Sequence, residues 1–560
     1  MNICAPNSID QALQTRLVEP CEGVVQAVSL GPDAKPTLGQ AAAVASGRST
    51  VHLTDAAHLA MAQSEAFLND LIAQGRCIYG VTTGYGPLAD NHIDPRCSDT
   101  LQRNLVYHLA SGVGAPLPWL QARSIVFARL SALSQGHSAV SRQVTDILAA
   151  SLNAGLAPVI PEKGTVGASG DLTPLAHVAL ALMGEGGWLD AGGPVENSAA
   201  FKRIGFTPLC LGPKEGLALV NGTSAMTGIA ALNGVLARQA IVLTSVLSLM
   251  NAEMFSGHRA AWHPNVGAVR GQPGQQRMHQ LLWSLSESSN MLQPFAPLPG
   301  QIGGEGAVRH GQIIPQDPYS IRCITQLIGA SLDVLETHDA IIARELAAVT
   351  DNPLVFAEQE VLLHAGNFFG QHTAFASDAL ANAVIMLGVL LERQIARITD
   401  VKQSEGLPAF LQGNQTGLNS GFMGAQVTAS ALVAEIRTQA IPASVQSIPT
   451  NANNQDVVTM GTIAARKTSA ILADAYRIIA IQALCMAQAY DLRINECDCE
   501  DFSQTTRALH AYIRQHAAFL DVDRPLSSEI EGLAQAMQNP LLWHEIFADL
   551  PFVKDTLSQF

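Results

Sequence analysis

The spacing of hydrophobic positions predicts helices in the first third of the chain. Apolar residues recur at helical spacing over residues 55–74, on the face formed by Ala56, Leu59, Ala60, Phe67 and Leu71. Similar patterns predict helices over residues 102–110, 119–133 and 142–154. The early part of the chain is therefore expected to be helical, with loops where this spacing is lost.

Two segments interrupt the helical spacing. Residues 79–88 read Tyr-Gly-Val-Thr-Thr-Gly-Tyr-Gly-Pro-Leu, and three glycines and a proline predict a mobile loop. Residues 157–171 contain two prolines and three glycines, and end in the sequence Ala168-Ser169-Gly170-Asp171. The helical pattern resumes at Leu172, so Asp171 is the predicted N-cap of the next helix.

Much longer apolar stretches follow in the second half of the chain. Helices are predicted over residues 223–255, 319–349, 373–399 and 456–492, each well above the mean helix length of about 11–12 residues. Several such helices are typical of a mainly α fold built as a long helical bundle. We place a domain boundary near residue 200, between an N-terminal domain (1–200) and a bundle domain (201–560). The glycine-rich segment 300–311 matches no nucleotide-binding pattern and is predicted to be a flexible loop.

Composition and charge indicate which classes of protein the chain can belong to. Hydrophobic residues make up 48% and charged residues 14% of the 560, which is typical of a folded protein rather than a disordered one. The net charge is −15 and no basic stripe is present, so nucleic acid is not an expected partner. No secretory signal or membrane span is predicted, and a cytoplasmic location is expected. Of nine cysteines only Cys497 and Cys499 lie close together, which favours reduced thiols over a zinc site.

The Ala168-Ser169-Gly170 tripeptide could support an unusual backbone reaction. If the amide nitrogen of Gly170 attacks the carbonyl of Ala168, a five-membered ring closes with loss of the carbonyl oxygen as one water, and loss of the Ser169 hydroxyl as a second water leaves an electrophilic methylidene. A small residue at 168 and a glycine at 170 allow the backbone to bend that sharply. Taken alone, the tripeptide more often marks a glycine-rich turn with a buried serine.

The wider sequence resembles the histidine, phenylalanine and tyrosine ammonia-lyase family. The resemblance is carried by Gly164-Thr-Val-Gly-Ala-Ser-Gly-Asp-Leu-Thr-Pro-Leu-Ala-His177, Tyr79-Gly-Val-Thr-Thr-Gly-Tyr-Gly86, Ala218-Leu-Val-Asn-Gly-Thr-Ser224, Gln316-Asp-Pro-Tyr-Ser-Ile-Arg322, Thr350-Asp-Asn-Pro353, Gly366-Asn-Phe368 and Asn453-Asn-Gln-Asp456. These motifs extend over much of the chain in the family's order, so chance does not explain them.

The resemblance implies the ammonia-lyase fold and a carbon–nitrogen lyase that acts on a small aromatic amino acid. It implies that Ala168, Ser169 and Gly170 form a 4-methylidene-imidazol-5-one (MIO), with no metal or nucleotide required. This electrophile takes up the amine of the substrate and makes nitrogen a better leaving group. The resemblance also implies a homotetramer in which three subunits build each active site.

Site residues follow from the same motifs, each with an ordinary alternative. Tyr79 matches the base that removes the β-proton, although it could be a loop anchor. Arg322 matches the residue that binds the substrate carboxylate, although a salt bridge is the plain alternative. The predicted catalytic residues are Tyr79, Ala168, Ser169, Gly170 and Tyr319. The predicted substrate- and cofactor-binding residues are His108, Leu109, Asn221, Gln316, Arg322, Asn352, Phe368 and Gln455.

Several of these positions bear on the choice of substrate. His108-Leu109 resembles the pair in tyrosine ammonia-lyases, and a buried imidazole could bind the phenol of tyrosine. A helix histidine with a backbone partner is the alternative. Gln455 replaces a glutamate of histidine-specific members, and Phe368 is expected to pack on the ring of substrate or cofactor or in the core. The sequence departs from aromatic-specific relatives at Glu345-Leu-Ala-Ala-Val349 and at Phe369, and both departures bear on the shape of the substrate pocket.

The predicted function is tyrosine ammonia-lyase, which converts L-tyrosine, and L-phenylalanine less well, to coumarate or cinnamate and ammonia. A tyrosine 2,3-aminomutase would use the same cofactor and is distinguished by β-tyrosine as product. A histidine ammonia-lyase is disfavoured by His108-Leu109 and Gln455. A helical scaffold without catalysis would keep a linear Ala-Ser-Gly and would show no loss of two waters in its mass.

Overall fold

A computed structural model describes residues 27–296, 316–539 and 541–547. The helices are α1 (Leu38–Ala45), α2 (Asp55–Ala73), α3 (Ser98–Leu109), α4 (Trp119–Leu133), α5 (Arg142–Asn153), α6 (Leu172–Leu182), α7 (Asn197–Ile204), α8 (Glu215–Val220), α9 (Ser224–Met254), α10 (Pro264–Arg270), α11 (Pro273–Leu285), α12 (Tyr319–Arg322), α13 (Ile324–Leu346), α14 (Gln371–Thr399), α15 (Met423–Thr438), α16 (Gly461–Arg493), α17 (Gln504–His516), α18 (Ser527–Ala536) and α19 (Leu542–Ile546). The prediction of a mainly α fold is confirmed. The glycine-rich segment 300–311 lies outside the described residues, as do Cys4 and Cys21.

Short strands accompany the helices. They are β1 (Val28–Leu30), β2 (Val51–Leu53), β3 (Val113–Pro116), β4 (Ala157–Pro158), β5 (Pro161–Lys163), β6 (Trp188–Asp190), β7 (Gly193–Val195), β8 (Leu354–Phe356) and β9 (Val361–Leu363). The β1–β2 pair is parallel, whereas β3–β5, β4–β6–β7 and β8–β9 are antiparallel. None was predicted, because segments of two to four residues are too short to show a period of two.

Side-chain caps explain where the first helices begin. Thr54 accepts the backbone N–H of Ala57 at the start of α2, which satisfies a donor that has no partner within the helix. Thr37 and Gln40 form a reciprocal capping box at the start of α1. The predicted helices 119–133 and 142–154 are found with bounds that match to within one residue. The predicted helix 319–349 is instead two helices, α12 and α13.

The chain forms two compact units, each built from three segments. The first comprises residues 1–235, 337–379 and 441–469, and the second comprises residues 236–336, 380–440 and 470–560. Each unit has its own apolar core: Leu130, Ile147 and Leu182 belong to that of the first, and Leu247, Ile395 and Leu484 to that of the second. No single position in the sequence separates the two units. The domain boundary near residue 200 stays a prediction.

Three helices are long and apolar enough to cross a membrane by length and composition alone. They are α9, α14 and α16, and 78%, 67% and 78% of their most apolar stretches are buried within the protein. Their apolar residues therefore have protein neighbours within the chain itself. The sequence-based expectation that no helix spans a membrane stays a prediction.

Candidate active site

The Ala168-Ser169-Gly170 segment lies in a tightly held turn before α6. The backbone N–H of Met460 donates to the carbonyl of Val166 (2.8 Å), and the Thr459 hydroxyl donates to the carbonyl of Gly167 (3.3 Å). Ser169 itself has a φ of 52°, in the left-handed region that serine rarely adopts. The turn is therefore held in a strained conformation by a part of the chain that is distant in sequence.

Glycine is required at position 170. Its φ is 76°, and a Cβ added there would lie 2.1 Å from the carbonyl oxygen of Gly222. The next residue, Asp171, donates its backbone N–H to the same carbonyl (2.7 Å). Any larger residue at 170 would separate the turn from the Gly222 backbone.

Asp171 is the N-cap residue of α6, as predicted, but its side chain makes no capping hydrogen bond there. Its fully buried carboxylate instead accepts the backbone N–H of Met226 (2.7 Å), in the first turn of α9, and the hydroxyl of Thr462. A carboxylate at the first turn of a long helix is favoured by unpaired N–H groups and by the helix dipole. Burial is the main cause that raises the pKa of Asp171, to about 6. Asp171 thereby joins the turn to the start of α9.

A cavity of about 580 Å³ opens over this turn, and all of its lining residues belong to the first unit. Nine of the predicted site residues line it: Tyr79, His108, Leu109, Ala168, Ser169, Asn221, Asn352, Phe368 and Gln455. Gly170 lies directly below, in the turn itself. The structure therefore brings together most of the site that the sequence predicts.

Two tyrosines of the glycine-rich loop line the cavity. The Tyr79 hydroxyl accepts the backbone N–H of Gly86 (2.8 Å), and the Tyr79 backbone N–H donates to His364 Nε2 (3.2 Å). The Tyr85 ring meets that of Tyr79 edge-on, with centroids 6.3 Å apart. Burial, and then the neighbouring Tyr79, raise the pKa of Tyr85 well above its ordinary value, so Tyr85 stays protonated.

Two asparagines form the polar wall of the cavity. Asn221 Nδ2 donates to the backbone carbonyl of Asn352 (2.9 Å), and Asn352 Oδ1 accepts the backbone N–H of Ala365 (2.7 Å). Asn221 Oδ1 is buried and has no hydrogen-bond partner among the described residues. A buried acceptor of this kind beside Ser169 fits a site that binds a further polar group.

His108 lies in the last turn of α3, where its Nδ1 is 3.2 Å from the backbone carbonyl of Asn104. A carbonyl can only accept, so Nδ1 carries the hydrogen and Nε2 of the neutral ring is an acceptor. The sequence argument treated this imidazole as buried, whereas within the single chain His108 is exposed. Its ring is exposed because it lies at the edge of an open cavity.

The remaining cavity residues are mostly apolar. Leu109 and Phe368 are half-buried, and Phe369 is 40% exposed. Gln455 accepts the hydroxyl of Thr450 with Oε1 (2.8 Å), which fixes its side-chain amide. Sequence reasoning did not select the lining residues Tyr85, Gly86, Leu105, Leu172, Leu217, Asn451 and Val457. Tyr85 could have been found, since it lies in the same loop as Tyr79.

Besides Gly170, three predicted residues do not line this cavity. Gln316, Tyr319 and Arg322 belong to the second unit. Arg322 Nε donates to the carbonyl of Asp317 (3.0 Å), and its guanidinium carbon lies 4.8 Å from the centroid of the Tyr319 ring. Tyr319 is 72% exposed, and it lines a separate apolar cavity of about 420 Å³ with residues of the second unit.

Comparison with known proteins identifies the family of this chain. The model of the family described as aromatic amino acid lyase matches residues 37–515, which include every residue that lines the cavity. The chain belongs to this family. It is therefore a carbon–nitrogen lyase, and the resemblance noted in the sequence is confirmed.

Members of the aromatic amino acid lyase family with different substrates are similar to this chain. Tyrosine ammonia-lyase of Cereibacter sphaeroides is 46% identical (89% of this chain, 95% of the relative), and histidine ammonia-lyase of Symbiobacterium thermophilum is 41% identical (92% and 97%). The crystal structure of tyrosine aminomutase from Streptomyces globisporus superposes with a TM-score of 0.86 at 36% identity (94% and 99%). The predicted fold class is thereby confirmed. These relatives agree on an aromatic amino acid as substrate and differ in which one.

Proposed function

We propose that the protein is a tyrosine ammonia-lyase, which converts L-tyrosine to trans-p-coumarate and ammonia and acts less well on L-phenylalanine. The observation that carries this proposal is the contact of His108 Nδ1 with the backbone carbonyl of Asn104 (3.2 Å). With Nδ1 held by the carbonyl of Asn104, Nε2 is free to accept the phenol O–H of tyrosine at the cavity edge. Phenylalanine has no such donor, and Gln455 offers no carboxylate to an imidazole substrate.

The electrophile of this proposal is a methylidene-imidazolone formed from Ala168, Ser169 and Gly170. When present, it takes up the amine of the substrate and makes ammonia a better leaving group. The residues around the turn fit such a ring in two ways. The left-handed backbone at Ser169 and Gly170 is already sharply bent, and the unpartnered Asn221 Oδ1 offers an acceptor beside it.

Tyr79 is the proposed base for the β-proton of the substrate. The Gly86 N–H donates to its oxygen and fixes the phenol within the cavity, where it can reach a bound amino acid. Tyr85, the other phenol of the loop, is held protonated by burial and is unsuited to accept a proton. The Gln102 side chain holds this loop to α8, since it donates to the Gly80 carbonyl (2.8 Å) and accepts the Leu217 N–H (2.9 Å).

The carboxylate of the substrate is proposed to bind Arg322 and Tyr319 from a second copy of the chain, together with Asn352. Two observations support this arrangement: no arginine is among the described residues that line the cavity, and Tyr319 is largely exposed beside Arg322. Gln316 would then approach the cofactor from the same second copy. We propose shared active sites on this basis, within the homotetramer that the family resemblance implies, and we propose a cytoplasmic location.

Subunit mixing tests the shared site. Tyr79→Phe and Arg322→Met proteins should each be nearly inactive, because one lacks the base and the other the carboxylate ligand. After joint unfolding and refolding, mixed oligomers contain some sites with neither substitution, so part of the activity should return. Two Tyr79→Phe preparations mixed in the same way serve as the control. No recovery from the mixture, with mixed oligomers demonstrated by mass, would contradict sites shared between copies.

A substrate panel tests the reaction itself. Purified protein is incubated with tyrosine, phenylalanine or histidine, and the products are identified by chromatography and mass spectrometry. We expect coumarate with the highest kcat/KM, and cinnamate with a lower one. Accumulation of β-tyrosine would show an aminomutase, and urocanate as the main product would show a histidine ammonia-lyase.

The His108→Phe protein should prefer phenylalanine over tyrosine. The phenol hydroxyl of tyrosine would lose its acceptor in the pocket, which costs about 1–3 kcal/mol, or roughly 5- to 150-fold in the ratio of kcat/KM values. Steady-state kinetics with both amino acids measure this ratio. A His52→Phe protein is the control, because His52 lies on β2, bonds only Ser29 in the described structure and does not line the cavity. An unchanged ratio in His108→Phe would remove His108 from substrate recognition.

A further inference from the structure

A fully buried ion pair lies behind the asparagine wall of the cavity. Lys214 Nζ donates to Asp351 Oδ2 (2.6 Å) and to the backbone carbonyl of Ser138 (3.0 Å), and neither charged side chain is accessible to solvent. Lysine is almost never buried so completely unless it is paired. Burial lowers the pKa of Lys214, and the adjacent carboxylate of Asp351 opposes this effect.

The second oxygen of Asp351 connects the pair to the cavity. Asp351 Oδ1 accepts the backbone N–H of Asn352 (2.7 Å). Asn352 in turn accepts from Asn221 Nδ2 with its backbone carbonyl and from the Ala365 N–H with its side-chain oxygen. With Oδ1 committed to Ala365, the Asn352 amide has its Nδ2 group left for a ligand in the cavity. Asp351 is thus hydrogen-bonded directly to a residue that lines the cavity.

A buried arginine holds the same two segments from another side. Arg129 Nη1 donates to the carbonyls of Asn221 (3.0 Å) and Thr350 (3.2 Å), and the side chain is fully buried. Burial lowers the pKa of Arg129 to about 10, while the charges of Asp351 and Asp171 oppose this. Charged side chains therefore hold both segments: Arg129 bonds the backbone carbonyls of Asn221 and Thr350, and Asp351 bonds the backbone N–H of Asn352.

The energetics of buried charges argue against a purely structural role. Replacement of a buried ion pair by neutral groups of similar size is often neutral or stabilising, whereas removal of one partner alone is costly. Because Asp351 bonds both Lys214 and the backbone N–H of Asn352, a residue of the site, the geometry points to a role in orientation. We propose that the Lys214–Asp351 ion pair is a positioning pair that orients the amides of Asn352 and Asn221 for the substrate. This inference rests on the proposed function.

A double-mutant cycle separates positioning from folding. The variants are Lys214→Met, Asp351→Asn and the double variant with both changes, each in the full chain. We expect Lys214→Met to lower the midpoint of chemical denaturation, because it leaves the Asp351 carboxylate buried without a counter-charge. The double variant contains no unpaired charge at this place and should recover most of that loss.

Substrate binding should not recover with stability. In the double variant a neutral amide replaces the carboxylate that held Asn352, and its rotation is no longer set by Lys214. We expect KM for tyrosine to rise at least about 10-fold, with a smaller change in kcat, since positioning groups act mainly on bound substrate. The dissociation constant of p-coumarate, measured by titration calorimetry, should rise by a similar factor. The kcat and the calorimetric stoichiometry are corrected for the dehydrated fraction measured by intact mass.

The control is an ion pair of the second unit that touches no lining residue. Arg514 and Asp491 are paired at 2.6 Å, and Arg514→Met/Asp491→Asn should leave KM and p-coumarate binding unchanged. Two results would overturn the proposal: a Lys214→Met/Asp351→Asn protein with wild-type KM and p-coumarate binding, or one that cannot fold. If wild-type protein does not deaminate tyrosine, the proposed function fails instead. The double-mutant cycle is then measured with the amino acid that the wild-type protein does deaminate.

Discussion

Ser169→Ala protein is expected to fold normally and to leave tyrosine unchanged. The electrophile proposed for this site requires loss of the serine hydroxyl as water, and alanine has no hydroxyl to lose. Both residues carry one Cβ, so the left-handed backbone at this position (φ 52°) is no harder for alanine to adopt. We expect kcat to fall by at least about 10³-fold, the scale of removing a group on which covalent catalysis depends.

Intact mass spectrometry checks this result without reference to activity. Wild-type protein should be lighter than its sequence by two water molecules, and Ser169→Ala protein by one at most. Ser151→Ala is the matched control, because Ser151 is also a buried serine of the first unit and donates only to the carbonyl of Leu148. A wild-type mass equal to that of the linear chain, in protein that is active, would remove the cofactor from the mechanism.

Tyr79→Phe protein is expected to form the cofactor and still turn over tyrosine very slowly. The substitution removes the oxygen that would accept the β-proton, and general base catalysis contributes about 10²–10⁴-fold to a rate. The Gly86 N–H also loses its acceptor, but the Tyr79 backbone N–H keeps its bond to His364 and the ring keeps its place. Single-turnover kinetics, with the two-water mass deficit measured in parallel, separate loss of the base from loss of the cofactor.

Two other tyrosines make this prediction specific. Tyr107→Phe is the control, because Tyr107 lies on the outside of α3, bonds Glu185 and does not line the cavity. Tyr85→Phe tests the alternative base within the same loop. The structure gives Tyr85 a raised pKa, so its replacement should cost far less than that of Tyr79. A greater loss in Tyr85→Phe than in Tyr79→Phe would reverse the assignment.

The helices could be predicted because the helical spacing of apolar residues extends over many residues in each of them. Periodicity located α2, α4 and α5 to within a residue or two, and the long apolar stretches located α9, α14 and α16. The break between α12 and α13 was missed, since Cys323 is neither glycine nor proline and apolar residues continue through it. Side-chain hydrogen bonds within the fold, rather than local propensity, also decided where Asp171 points.

The site could be predicted only as far as single motifs specify it. Tyr79, Ser169 and Asn352 stand in separate motifs, and the structure brings all three to one cavity. Periodicity could not show that Arg322 lies in the second unit, because that depends on which chain segments pack together. Lys214 carried no signal either: a buried lysine looks like any surface lysine until its neighbours are known.

The bonds that hold the Ala-Ser-Gly turn also bear on how the protein is made. Thr459, which bonds Gly167, follows it by 292 residues in the chain. A ribosome must therefore synthesise most of the polypeptide before the turn can acquire its final geometry. The proposed ring closure should follow synthesis of the chain through residue 459, so products that end before this residue would carry an ordinary peptide. The cell's thiols and amines would then meet the reactive group only inside a finished enzyme.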